Sequence, residues 1–342
     1  MKILVTGGAG LVGSHSCEYY AQQGHEVIAI DNYLRGSLFG EMGNTKTNAA
    51  FLTRQFANIK FHNVDVRDEK ETKLLLKDVD IIVHAAAQPS HPRSIEIPIE
   101  DFSINAWGTL SLLETVRKVA DDATFVFCST NKVYGENPNK LPTIEKETRY
   151  DYAETDGIDE SMPLDHTIHT PFGVSKLAAD LYTQEYGRLY GLKTGVFRMG
   201  CITGPRTMAV EMHNWEPYFM WVNLTGKILN VYGFKGKQVR DVIDARDLVR
   251  AFDKFARHPR SGEVYNMGGG RRNSISLLES FHIIEKITRK PMKYVLKSKR
   301  EGDHKVYISN LTKFKSQYDW EIEIGLNQIF RDIYDWLRAY RL

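Results

Sequence analysis

The first thirteen residues, Met-Lys-Ile-Leu-Val-Thr-Gly-Gly-Ala-Gly-Leu-Val-Gly, limit the possible fold more than any other stretch. An apolar, strand-like run ends at Gly7, and Gly10 and Gly13 follow at three-residue spacing as a helix-like segment opens. Glycine permits a tight strand-to-helix turn, lets the backbone approach a pyrophosphate, and lets the helix lie close to the strand. The helix N-terminus then aims N–H groups at phosphate oxygens. Asp31 stands eighteen residues past Gly13, at the end of a second strand candidate. A carboxylate there hydrogen-bonds ribose hydroxyls and repels a 2′-phosphate, which favours NAD over NADP.

The pattern that follows supports a βαβ reading. Strand candidates at Lys2–Thr6, Glu26–Asp31, Ile59–Val64, Asp80–His84, Thr124–Ser129 and Thr194–Arg198 alternate with helix-like segments at Gly10–Gln23, Glu69–Lys77, Phe102–Val119 and Ser175–Tyr190. Such alternation predicts an α/β chain with a doubly wound parallel (Rossmann) sheet. The later half carries helical patterns at Trp215–Gly226, Leu248–Arg257, Ser276–Ile287 and Gly325–Ala339, read as a smaller, mostly helical substrate-binding lobe. The expected division gives 1–200 and 235–260 to the dinucleotide domain, and 201–234 and 261–342 to the lobe. Asn32–Asn48 reads as a Gly-, Asn- and Ser-rich loop. Glu136–Pro171 spans 36 residues with four prolines, too long for a plain connector and therefore a functional loop.

Composition excludes several alternatives. A net charge of +2 on 342 residues implies no broad basic surface for nucleic acid. No apolar run reaches the ~20 residues that span a bilayer, and the opening residues lack a signal peptide's basic and apolar regions. Cys17, Cys128 and Cys201 are widely spaced, which fits reduced thiols and a cytoplasmic setting. The histidines show no zinc-site spacing, so no metal is expected.

Further segments resemble the extended short-chain dehydrogenase/reductase family, in its order and over roughly residues 1–310. Asp65-Val66 resembles the pair that holds adenine. His84-Ala85-Ala86-Ala87-Gln88 resembles the H-x-A-A segment beneath the nicotinamide side. Asn105-Ala106-Trp107-Gly108-Thr109 resembles the N-x-x-G-T helix, whose Asn steadies the strands around the site, and Ser129-Thr130-Asn131-Lys132-Val133-Tyr134-Gly135 resembles the segment with the catalytic hydroxyl, here Thr130. The resemblance implies NAD as cofactor, held by Gly7, Gly10, Leu11, Val12, Gly13, Asp31, Asn32, Arg35, Gly36, Asp65, Val66, Ala85, Ala86, Ala87, Gln88, Asn105, Ser129, Lys176 and Gly200. Glu147–Tyr150, Gly157–Ser161, His169–Pro171 and Gly236–Val242 resemble a subgroup of epimerases that invert C2 of a CDP-linked hexose.

Oxidation of a sugar carbinol needs a base for the hydroxyl proton while hydride leaves for the cofactor. The family uses the Tyr of Y-x-x-x-K, with its pKa lowered by the Lys ammonium. Here the frame reads Phe172-Gly173-Val174-Ser175-Lys176. Thr130 and Lys176 are present, but Phe172 cannot exchange a proton. Either this is a ring-preserving substitution that removes the chemistry, or another group is the base. Tyr134, His169, Asp165 and His91 are the candidates.

For the substrate, the resemblance implies a nucleotide sugar, a CDP-hexose in the subgroup. Gln88, Thr130, Asn131, Lys132, Cys201, Arg240, Arg300 and Asp303 are its expected contacts, the two guanidinium groups matching the diphosphate. Asn131-Lys132 occupy the place where a 4,6-dehydratase carries its Asp-Glu pair, which leaves a 4-epimerase as the nearer rival. A binder that kept the fold and lost the chemistry is the non-catalytic alternative. The resemblance also implies a homodimer through a four-helix bundle of Phe102–Val119 and Ser175–Tyr190, the second helix carrying Leu177, Leu181, Tyr182 and Leu189.

Overall fold

The computed structural model describes residues 1–341. Seven parallel strands form the central sheet: β1 (Lys2–Thr6), β2 (Glu26–Ile30), β3 (Ile59–His62), β4 (Ile81–His84), β5 (Thr124–Thr130), β6 (Lys193–Met199) and β7 (Glu263–Met267). Their spatial order is β7-β6-β5-β4-β1-β2-β3. The chain therefore winds one way from β1 and the other way from β4, which opens a crevice at the carboxyl ends of these two neighbours.

Side-chain alternation along the strands builds two core layers. Ile3, Val5, Val27, Ala29, Val83 and Phe197 face Cys17 and Tyr20 of helix Leu11–Gln22 and Leu248, Phe252 and Phe255 of helix Ala245–Arg257. Leu4, Ile28, Ile82, Phe125 and Phe127 face Leu112 and Val116 of helix Gly108–Val119 and Ala179 and Tyr186 of helix Thr170–Tyr190. This period of two with both faces covered is what a doubly wound sheet requires.

The smaller lobe is mixed and carries more strand than the sequence pattern indicates. Helices Trp215–Thr225, Leu277–Thr288 and Leu326–Tyr340 share an apolar core around Phe219, Phe281, Ile284 and Phe330. They pack with a pair, Leu229–Tyr232 and Tyr294–Lys297, and with a small sheet centred on Val239–Asp244. The chain also returns to the large sheet as β7, within the stretch assigned above to the lobe.

Two loops hold more structure than expected. Asn32–Asn48 contains helix Leu34–Phe39 and the start of helix Lys46–Gln55. Within Glu136–Pro171, Thr143–Glu145 pairs antiparallel with Tyr150–Tyr152, and helix Thr170–Tyr190 begins five residues before the expected start at Ser175. Among the described residues no helix is long and apolar enough to cross a membrane.

Candidate active site

A cavity of about 360 Å³ runs along the crevice from the turn after β1 to the lip of the smaller lobe. Its first wall is the glycine turn. A Cβ on Gly13 would lie 2.0 Å from the Gly7 carbonyl oxygen, and one on Gly7, at φ +64°, 2.8 Å from the Ala86 nitrogen. Only bare backbone fits there, and Gly7, Gly10, Leu11, Val12 and Gly13 all line the cavity. The opposite wall, Ala85–Ala87, is fixed by a buried relay. His84 Nδ1 bonds Thr6 Oγ1 at 2.7 Å, His84 Nε2 bonds Thr109 Oγ1 at 2.9 Å, and the Ala86 N–H donates to Thr6 Oγ1 at 3.1 Å.

Asp31 is anchored at the end of β2 by N–H donors from Ala9 (2.9 Å) and Tyr33 (2.8 Å). Burial pushes its carboxyl pKa up and those donors pull it down. Asn32 donates to Asp65 at 2.9 Å, and Arg67 holds the same carboxylate at 2.6 Å. Asn32, Arg35, Asp65 and Val66 join the wall at this end. The bare cradle, the anchored Asp31 and this rim could hold a dinucleotide, with its pyrophosphate at the turn and a ribose at Asp31.

At the other end Ser129, Thr130, Asn131, Lys132, Phe172, Lys176, Gly200 and Cys201 converge on the cavity. Lys176 is buried; its Nζ donates to the Cys128 carbonyl at 2.6 Å and sits 4.1 Å from the centre of the Phe127 ring. Burial pulls its pKa down to about 8. Lys132, with Nζ donating to Gly302 O at 2.7 Å, is likewise pulled down to about 8 by burial. Burial pushes the Cys201 thiol up to about 12, so it is no nucleophile at neutral pH. Behind Thr130 a buried network clamps strand to helix: Asp180 accepts from Ser129 Oγ (2.6 Å) and from Arg198 Nε and Nη2 (both 3.0 Å).

Several expected contacts stand elsewhere. Gln88 is fully buried behind the wall, donating to Asp101 Oδ1 at 2.7 Å and to Ser90 O at 2.9 Å. Asn105 is buried too; its Oδ1 accepts from the Gln88 N–H at 2.9 Å, so both residues hold the loop and do not line the cavity. Gly36 borders a separate shallow hollow with Tyr33 and Lys46. Arg240, Arg300 and Asp303 lie just outside the wall. Arg240 Nη2 is 3.9 Å from Asp303 Oδ1, and Arg300 stacks 3.7 Å over the Tyr232 ring.

The sequence reading missed His213, Asn214, Trp215 and Glu216, which line the lip where helix Trp215–Thr225 begins. Glu216 is buried, with Oε1 unpartnered, and burial pushes its pKa up to about 8. The only available signal was that predicted helix opening shortly after the Gly204-Pro205 turn. Among the described residues no group of three or more His, Cys, Asp or Glu is placed to hold a metal ion.

Residues 3–268 match the family model described as the NAD dependent epimerase/dehydratase family. The chain belongs to this family. It is an extended short-chain dehydrogenase/reductase, and the family's cofactor is NAD. The chain is 34% identical to the CDP-paratose 2-epimerase of Salmonella typhi, over 98% of this chain and 99% of that protein. The UDP-glucose 4-epimerase of Thermotoga maritima, solved with UDP-glucose, superposes with a TM-score of 0.81 at 28% identity, covering 99% of each chain. That of Thermus thermophilus, solved in complex with NAD, gives 0.81 at 26% identity, over 99% of this chain and all of the other.

Proposed function

We propose that this chain is an NAD-dependent nucleotide-sugar epimerase that inverts C2 of a CDP-linked hexose through a transient 2-ketosugar. The observation that carries this reading is one continuous cavity joining the dinucleotide cradle to Thr130 and Lys176, with Lys132 and Cys201 toward the smaller lobe. Likeness to the Salmonella CDP-paratose 2-epimerase supports position C2 and the cytidine nucleotide. Asn131 and Lys132 supply no acid pair for eliminating water, which speaks against dehydration.

NAD, when bound, supplies the hydride acceptor and later the donor. Lys176, one helical turn from Phe172, sets positive charge beneath the reacting oxygen, and Thr130 orients that oxygen by hydrogen bonding. Lys132, Arg240 and Arg300 gather cationic charge for a diphosphate at the lobe. A water-poor reacting end keeps the ketone from escaping before its opposite face is presented. Likeness to the two UDP-glucose 4-epimerases favours a second reading, inversion at C4 on the same scaffold.

We also read the enzyme as a homodimer. Phe102 and Trp107 on one side, and Val174, Leu181 and Tyr182 on helix Thr170–Tyr190, are 45–55% exposed, more apolar surface than neighbouring helices of a monomer usually leave open.

Incubation with CDP-glucose, CDP-paratose or UDP-glucose in deuterated and ordinary water, followed by NMR, tests the function. Inversion at C2 of a CDP-sugar is expected. Inversion at C4 would favour the second reading, and binding without conversion would reduce the protein to a nucleotide-sugar binder.

A further inference from the structure

The reaction needs a proton acceptor at the sugar hydroxyl, and the residue one turn before Lys176 is Phe172. Position removes most substitutes. Tyr134 is buried with its hydroxyl donating to Asn266 Oδ1 at 2.7 Å and accepting from Arg198 at 3.2 Å. His169 is tied to the Val133 carbonyl at 2.9 Å, and Asp165 is exposed; neither lines the cavity. The Nζ groups of Lys176 and Lys132 are committed to carbonyls. Glu216 and His213 line the lip where helix Trp215–Thr225 begins, on the lobe side.

His91 remains. It opens helix His91–Glu96 and lines the cavity, with Nδ1 buried and without a partner. Its Nε2 lies 3.7 Å from Asp303 Oδ1. Ser94 joins it to the residue that lacks the phenol: Ser94 Oγ donates to the His91 carbonyl at 2.7 Å and accepts the Phe172 N–H at 3.0 Å. Ser94 thus ties the main chains of His91 and Phe172 together, and both residues line the cavity.

We propose that His91 exchanges the sugar hydroxyl proton in place of the missing phenol, with Asp303 as the positioning residue behind it. The proposal rests on the nucleotide-sugar epimerase reading. The hydroxyl O–H breaks and its proton goes to the imidazole, while the C–H electron pair leaves as hydride. The carbinol is oxidised to a ketone and NAD⁺ is reduced by the same two electrons. The return step takes hydride to the other face and the proton back from the imidazolium.

Charge gives this group a built-in condition. Burial, and then the Lys132 ammonium, push the His91 pKa down to about 3; Asp303 opposes this, and Arg300 and Arg240 add to it. The neighbouring imidazoles His213 and His304 are also held neutral by burial. The resting imidazole is therefore neutral, with a free lone pair. A diphosphate seated among Lys132, Arg240 and Arg300 offsets their charge and leaves Asp303 as the uncancelled charge beside the ring, so proton affinity rises from its low resting value when substrate arrives.

The test compares the intact NAD-loaded protein with His91→Gln, His91→Gln/Phe172→Tyr and Asp303→Asn. His91→Gln is expected to lower kcat about 100-fold or more, with CDP affinity by calorimetry within about threefold. Adding Phe172→Tyr is expected to restore at least about tenfold of that loss. Asp303→Asn is expected to lower kcat more than it changes KM. Independently of turnover, ¹⁵N-histidine NMR of the unmodified protein should show the His91 pKa rising when CDP is added. Turnover of His91→Gln within about threefold of the parent, or a His91 resonance indifferent to CDP, would overturn the proposal while leaving the epimerase reading intact. A parent that neither binds CDP nor converts a nucleotide sugar would remove both.

Discussion

Replacing Asp180 by asparagine strikes the joint between β5 and the helix that carries Lys176. Asp180 lies one turn after Lys176 and accepts from Arg198 twice, from Ser129 Oγ at 2.6 Å and from Gln184 Nε2 at 2.6 Å. The Asp180 side chain is 0% exposed and that of Arg198 4%, so water cannot stand in for a lost partner. Asp180→Asn keeps the shape but strands the guanidinium, and breaking such a buried pair costs about 3–5 kcal/mol. At ~2.1 cal/mol/K per residue, a chain of 342 residues has an unfolding entropy near 0.7 kcal/mol/K. The melting temperature should therefore fall by about 4–7 °C in a calorimetric or fluorescence melt. Asp180→Leu with Arg198→Met should recover much of this, because a packed apolar pair avoids the desolvation. A fall of less than about 1 °C for the asparagine variant, against the shift worked from the entropy, would refute the view that this pair clamps β5 to the Lys176 helix.

Three further outcomes follow from the site. Gly13→Ala places a Cβ 2.0 Å from the Gly7 oxygen, backbone that cannot yield cheaply; NAD affinity by fluorescence titration should fall about tenfold or more, a loss of at least ~1.4 kcal/mol. Burial holds Lys132 and Lys176 down to about 8, so they lose charge as pH rises through 8, while Glu216, pushed up to about 8, becomes an anion in the same window. Both changes disfavour a diphosphate, so CDP affinity by calorimetry should drop about tenfold between pH 7 and 9.5, and Glu216→Gln should soften that drop. Trp107→Glu with Leu181→Glu should convert a dimer to a monomer in light scattering, with the melt of the monomer little changed, since both side chains are about half exposed.

Much of the large domain was legible because its signals are local. Glycine spacing, the acid after β2 and the strand alternation placed six of the seven sheet strands within a residue or two of their ends. What failed depended on distant partners. Helix Lys46–Gln55 hides in a polar stretch and is fixed by Asn48, which donates to Ala9 O at 2.9 Å and Arg206 O at 3.0 Å. Pro171 read as the end of a loop but sits in the first turn of the Lys176 helix, where a missing N–H costs nothing. Gln88 reads as a site residue by position, yet Asp101 and Ser90 turn its amide inward, a direction no spacing discloses. The Trp215–Glu216 lip escaped for the same reason: the helix was visible, but not that its first turn closes the cavity.

If the turn from Gly7 to Gly13 holds NAD with its reacting end toward Thr130 and Lys176, the purified protein carries the dinucleotide or takes it up. The most direct measurement denatures the freshly purified protein, quantifies released dinucleotide by chromatography, and titrates the stripped protein with NAD. Bound NAD on release, or tight and saturable uptake, is expected, diminished in Gly13→Ala. A correctly folded protein that neither releases nor takes up NAD would contradict it.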